Sequence, residues 1–128
     1  MLERVKGDGR PHGDIPHIEI PVTDTARASA FYGDLFGWNI EEYPGYEGYP
    51  MWQAPNGVSG GGLAPRSDGF TQPRSYVEVD SIDETVEKAV AAGGSVAMPK
   101  GNITDTSWWA VIVDPDGNHI GLFEGTTG

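Results

Sequence analysis

The strongest constraint on this chain is an internal repeat. The alternating run His17-Ile-Glu-Ile-Pro-Val recurs as Tyr76-Val-Glu-Val-Asp-Ser, 59 positions further on, so that Glu19 falls on Glu78. Later, Ala54-Pro-Asn-Gly-Val recurs as Asp114-Pro-Asp-Gly-Asn at an offset of 60. Self-similarity at such a period means one supersecondary unit used twice, and every element must then be assigned in duplicate.

Each alternating run leads into a helical stretch. Thr23 or Asp24 caps the first, and Ser81 with Glu84 forms a capping-box pattern before the second. Ala28, Phe31 and Leu35 supply the first helix with an apolar stripe, and Val86, Ala89 and Val90 the second. Gly37 and Gly93 are the expected C-terminal stops. The two Pro-Asn-Gly and Pro-Asp-Gly segments read as hairpin turns between antiparallel neighbours, because proline sets the second turn position and glycine takes the left-handed one. Each half is therefore strand, helix and three-stranded meander. The expected organisation is α+β, two tandem βαβββ modules with eight strands and two helices: an N-terminal extension 1–14, module one 15–64, a linker 65–73, module two 74–125 and a tail 126–128.

Alternation assigns faces. Ile18, Ile20 and Val22 go under the first helix, leaving His17, Glu19 and Pro21 opposite; Val77 and Val79 go under the second, leaving Tyr76 and Glu78 opposite. If the second turn pairs Asp114 with Asn118, then Val113 stands beside His119, Val111 beside Gly121 and Trp109 beside Phe123, with Trp108 turned under the helix. The same arithmetic in the first half sets Gln53 beside Ser59, Met51 beside Gly61 and Tyr49 beside Leu63. A face mixing His17, Glu19, Tyr49, Met51, Gln53, Tyr76, Glu78, Trp109, His119 and Phe123 has the composition of a small-molecule pocket, where a dry core would be aliphatic.

Composition removes other classes. With 19 acidic and 8 basic residues the formal charge is −11, which repels nucleic-acid backbones and anionic membrane surfaces. The 128 residues suffice for a core without staples, and no cysteine is available for a disulfide, a thiolate metal site or a thiol nucleophile. No apolar run near the N-terminus forms a signal-peptide core, so the expected compartment is the cytoplasm. No catalytic-serine signature, phosphate loop or dinucleotide fingerprint is present; Gly60, Gly61 and Gly62 follow a turn and do not open a helix.

The run from His17 to Asp24, with Arg27-Ala, Phe31-Tyr32, Leu35-Phe36-Gly37-Trp38 and Asp114-Pro-Asp-Gly-Asn, resembles the vicinal oxygen chelate superfamily, in its branch related to lactoylglutathione lyase. The resemblance implies a curved, half-open eight-stranded barrel around a small-molecule site, commonly in a homodimer. In metal-dependent members it also implies a divalent ion held by one residue from each of the first, fourth, fifth and eighth strands. Here those positions fall on His17, Gly61, Tyr76 (or Arg74, if aligned from the Gly93-Gly94 pair) and Gly121. Glycine has no side chain to ligate. The expected protein therefore binds a small molecule without the family's metal centre or any other cofactor, the aromatics stacking and Glu19 and Glu78 attracting a polar or cationic ligand. The alternatives are a lyase, isomerase or related enzyme using Glu19 or Glu78 as general base, or a metal-dependent glyoxalase or dioxygenase with a site rebuilt around Glu19, Glu78 and His119.

Overall fold

The computed structural model describes residues 12–125; the rest of the expected extension, and the tail, lie outside it. The chain forms two compact units, one of residues 16–75 and one of residues 12–15 with 76–125. The first contains β1 (His17–Val22), α1 (Thr25–Phe36), β2 (Asn39–Glu41), β3 (Met51–Gln53) and β4 (Gly60–Pro65). The second contains β5 (Arg74–Glu78) from Tyr76 onward, α2 (Ile82–Ala91), β6 (Ser95–Thr104), β7 (Ser107–Val113) and β8 (His119–Gly125). Eight strands and two helices in the order βαβββ-βαβββ make an α+β fold, as the repeat requires.

The strand order is β2-β3-β4-β1 in module one and β5-β8-β7-β6 in module two. In each, the first and last strands of the module lie parallel, β1 with β4 and β5 with β8, and all other pairs are antiparallel. A parallel pair needs a long crossover, and the helix with the two intervening strands provides it.

Local chemistry sets the helix ends. The Asp24 carboxylate accepts from the Arg27 amide at 3.0 Å and Gly37 closes α1 with φ 73°. Ser81 Oγ accepts from the Glu84 amide at 3.1 Å, and the Glu124 carboxylate, reaching from β8, accepts from the Ile82 amide at 2.7 Å. Module two packs Val79, Ile82, Ala110 and Leu122 into a core, with Val77, Val86, Trp108 and Ile112 around it. Trp108 lies on the helix side, as alternation requires.

Two sequence expectations fail. The stripes assigned to the helices are not fully buried: Phe31 and Leu35 are each 58% exposed, Val90 is 53% exposed, and α1 buries no residue completely. The sheet-facing side of α1 carries Thr25, Ala28, Ser29 and Tyr32 instead. Apolar residues surround this helix, so periodicity does not select a face. Aromatic stacking does: Tyr32 stacks on Trp38 at 5.2 Å, and Trp38 on Trp52 at 3.8 Å with 11° between planes.

The second failure is register. β7 and β8 pair as expected, Trp109 with Phe123, Val111 with Gly121 and Val113 with His119. In module one, however, Met51 pairs with Gly62, Trp52 with Gly61 and Gln53 with Gly60, one residue off the expected alignment. Asp114 explains the difference. Its carboxylate accepts from the amides of Asp116 and Asn118 and from the Asn118 side chain, closing the turn so that the Asp114 amide meets the Asn118 carbonyl. Ala54 has no such acceptor, and its amide closes one residue later on Ser59 at 2.9 Å.

Candidate functional site

The corrected register defines the face opposite the helix in module one. Glu19 pairs with Gly62, and Gly62 with Met51, so these residues and Gln53 share a side; Ile18, Gly61 and Trp52 share the other. Gly61, expected at the fourth-strand ligand position, is therefore on the helix side, where its bare Cα lets the Trp52 indole reach the Ile18 carbonyl at 3.3 Å. Gly60 and Gly62 take its place on the Glu19 side. A side chain for a metal is missing on either alignment.

Tyr49 is delivered to this face by two consecutive turns. The Tyr46 amide donates to the Tyr43 carbonyl and the Tyr49 amide to the Tyr46 carbonyl, with Gly45 and Gly48 in left-handed conformations. Glu42 and Glu47 brace the loop by accepting from the amides of Gly48 and Gly45. The amides of Glu47 itself and of Gly45 hold the Glu47 carboxyl below the ordinary glutamate range. The Tyr49 ring then lies over Gly62, so close that a Cβ there would collide with the tip of the ring and its hydroxyl.

The Tyr49 hydroxyl donates to Glu19 Oε2 at 2.8 Å, and His17 Nε2 lies 2.8 Å from the tyrosine hydroxyl oxygen. A phenol has one proton, and here it points at the carboxylate; His17 Nε2 must therefore carry the hydrogen that it donates to Tyr49. For Nε2 to ligate a metal, that proton would have to leave and the hydrogen bond to Tyr49 break.

Module two repeats part of this plan. Tyr76 and Glu78 are 6% and 5% exposed on β5, opposite Gly121 and Phe123 of β8. The Tyr76 ring lies directly over Gly121, and Trp109 stands 6.3 Å from it at 43°. Phe123 is the cross-strand neighbour of both Glu78 and Trp109. His119 shares this parity but sits exposed at the start of β8. Arg74, the other candidate for the fifth-strand position, places its guanidinium over Phe70 at 4.7 Å and donates to the Gly69 carbonyl. Among the described residues no group of three or more His, Asp or Glu side chains is arranged to hold a metal ion. The donor set does not fit the ion that the sequence resemblance implies.

Three features escaped the sequence. The Tyr49 hydroxyl, read there only as stacking area, is the centre of the His17–Glu19 network; the triple Tyr spacing with glycines in Tyr43-Pro-Gly-Tyr-Glu-Gly-Tyr was its signal. Gly62 was hidden by the register slip. The segment before β1 was set aside as an extension, yet Gly13 donates to the Glu78 carbonyl and Glu78 donates to the Asp14 carbonyl, both at 2.7 Å.

A family model for the glyoxalase/bleomycin resistance protein/dioxygenase superfamily matches residues 14–122. The chain belongs to that superfamily. Putative glyoxylases of Mycobacterium tuberculosis and Mycobacterium bovis are each 32% identical over 114 residues, covering 84% of this chain and 44% of those proteins, so the chain spans under half their length. A glyoxylase-like domain-containing protein of Didymella fabae is 33% identical over 91 residues, 65% of this chain and 70% of that one. Among solved structures, methylmalonyl-CoA epimerase from M. tuberculosis superposes with a TM-score of 0.64 at 19% identity, covering 90% and 89% of the two chains. A superfamily member from Vibrio splendidus gives 0.60 at 16%, covering 85% and 96%. Both likenesses concern the fold alone. No described helix is long and apolar enough to cross a membrane.

Proposed function

We propose that this superfamily member binds a small polar or cationic molecule without a divalent ion, in the cytoplasm, and that the His17–Tyr49–Glu19 face of module one is the polar anchor. The carrying observation is the commitment of His17 Nε2 and Glu19 Oε2 to a single tyrosine hydroxyl above a glycine. His17 and Glu19 are thereby joined through the Tyr49 hydroxyl. Glu19 brings negative charge and Tyr49 brings ring area, which together suit an organic cation or a hydrogen-bond donor carried on a flat group. In module two, Tyr76, Trp109, Phe123 and Glu78 offer the same pairing of aromatic area with a carboxylate.

The test is calorimetric and analytical. Elemental analysis of the purified protein is expected to find no stoichiometric zinc, nickel, iron or manganese, and chelators are expected to leave the melting temperature unchanged. A thermal-shift screen of cationic aromatic compounds is expected to return stabilising ligands whose effect falls in Tyr49→Phe, since binding to the folded state raises its stability by mass action. One metal per chain, or stabilisation by a divalent ion that is lost in His17→Ala, would overturn the reading.

The same chain of hydrogen bonds favours one second reading, an acid–base enzyme with Glu19 taking a proton from its substrate. Glu19→Gln separates the two. A binding protein keeps most of its affinity, while a general-base enzyme loses about 100-fold or more in turnover with ligand still bound. The parallel change Glu78→Gln asks the same question of module two.

A further inference from the structure

We infer that the turn between β3 and β4 is a site of spontaneous covalent modification, at which the Asn56 side chain closes on the Gly57 backbone nitrogen, loses ammonia and leaves a mixture of aspartate and isoaspartate. The chain has four asparagines, and only Asn56 precedes a glycine; Asn39 and Asn102 precede isoleucines in β2 and β6, and Asn118 precedes His119. A side chain on the following residue crowds the ring that must form, and Gly57 has none. Asn56 and Gly57 are both exposed, and among the described residues nothing lies within 4 Å of where a Cβ on Gly57 would stand. The Val58 amide donates to Asn56 Oδ1 at 2.9 Å, which turns the side chain back over the Gly57 peptide and draws electron density from Cγ, the atom to be attacked.

Hydroxide removes the Gly57 amide proton, the nitrogen bonds to Asn56 Cγ, and the Cγ–Nδ2 bond breaks as ammonia leaves. Water then opens the cyclic imide on either side. Cleavage at Cγ gives aspartate; cleavage at the original peptide carbon gives isoaspartate, whose backbone runs through Cγ and is longer by one carbon. The sum is amide plus water to carboxylate plus ammonium, with nothing oxidised or reduced.

The folded turn restrains this chemistry. Gly57 donates its amide to the Ala54 carbonyl at 2.9 Å, so the turn must open before the nitrogen can attack, and the rate follows the open population. The repeat-equivalent Asp116-Gly117 differs on both counts. It presents a carboxylate, a poorer electrophile than an amide, and its turn is held shut by hydrogen bonds from Asp116 and Asn118 to the Asp114 carboxylate. Ala54 offers no such lock, so of the two repeated turns the first is the one that reacts. It is also the turn that fixes the pairing of Met51 with Gly62.

The test is mass-spectrometric peptide mapping of the full chain, digested after storage at mildly alkaline pH, with each site localised by fragmentation. Asn56 is expected to gain the mass difference between an amide and an acid faster than Asn39, Asn102 or Asn118. The aged chain is also expected to accept a methyl group from S-adenosylmethionine when an isoaspartyl methyltransferase is added. Asn56→Gln, whose ring would be one member larger, should show neither change at that position. Ala54→Asp, which supplies the missing lock, should slow the reaction about tenfold, because hydrogen bonds to a carboxylate lower the open population by that order. An unchanged mass at Asn56 would overturn the proposal, as would an equal rate at the other asparagines. A gain in mass without methyl acceptance would overturn the imide route, since direct hydrolysis yields aspartate alone. An Ala54→Asp chain that reacts as fast as wild type would overturn gating by the turn.

Discussion

The two modules share a backbone plan and fill it differently. Module two has an aliphatic core, Val79, Ile82, Ala110 and Leu122, beneath a helix capped by both Ser81 and Glu124. Module one has no completely buried residue on its helix; beside the buried Leu63 it stacks Tyr32, Trp38 and Trp52. Its fourth strand begins Gly60-Gly61-Gly62, and the volume that β4 side chains leave vacant is taken by Trp52 on one face and Tyr49 on the other. A repeat thus preserves turn chemistry and strand alternation while side-chain volume migrates between neighbouring strands. The same migration, a tyrosine ring over a glycine, occurs on the polar face of both modules.

The largest expected effect tests the ring stack. Trp52 is 5% exposed, stacks on Trp38 and donates to Ile18, so Trp52→Ala should cost roughly 3 to 5 kcal/mol in chemical denaturation. Trp108→Ala should cost less, because Trp108 is only half-buried, packed against the aliphatic core with the Lys100 ammonium 5.2 Å from its ring centroid. Trp109→Ala, on the polar face, should cost least of the three. If Trp52→Ala proves the mildest, module one does not rest on its aromatic stack and the contrast with module two collapses.

The tyrosine–glycine pairs give a smaller effect with a built-in asymmetry. A Cβ at Gly121 meets the Tyr76 ring from Cγ outward, near the backbone, where the ring cannot retreat; Gly121→Ala should cost about 1 to 3 kcal/mol. At Gly62 the collision is with the tip of Tyr49, which can swing away. Gly62→Ala should therefore be milder, but it should break the hydroxyl network, and the ring-nitrogen resonances of His17 in NMR spectra should move. Equal costs with an unchanged His17 would refute the placement of Tyr49.

The smallest effect concerns the turn. The Asn118 side chain, then the Asn118 amide, hold the Asp114 carboxyl below the ordinary aspartate range. A carboxyl depressed in the folded state stabilises above its unfolded pKa, and that contribution is lost as pH falls through the folded one. Asp114→Ala should be slightly less stable than wild type at neutral pH, and the gap should close below about pH 4. A gap that persists in acid would mean that the turn is held by its backbone rather than by the carboxylate. Ala54→Asp, which supplies the missing acceptor in module one, sharpens the point if amide-exchange protection shows β3 and β4 moving toward the register of β7 and β8.

Local chemistry was readable throughout. The repeat, the caps at Asp24 and Ser81, the faces of β1 and β5, and the pairing of Trp109 with Phe123 all depend on residues near in sequence or on a turn whose geometry is written in its own side chains. Even the slip in module one had a local sign, since Ala54 stands where Asp114 does and its side chain cannot accept a hydrogen bond.

What only the tertiary structure decided is where competing apolar and aromatic groups end up. Periodicity cannot choose a face for α1, because its apolar residues go all the way round; the stack of Tyr32, Trp38 and Trp52 chooses it, and that stack joins a helix to two stretches beyond it. Nor does alternation bring the Tyr49 hydroxyl to His17 and Glu19, some thirty residues away. That contact exists because two turns, a glycine at 62 and a one-residue register shift place the ring there. Strand and turn preferences act over a few residues and so are legible one segment at a time, whereas a hydrogen bond between distant side chains is set by how the segments pack.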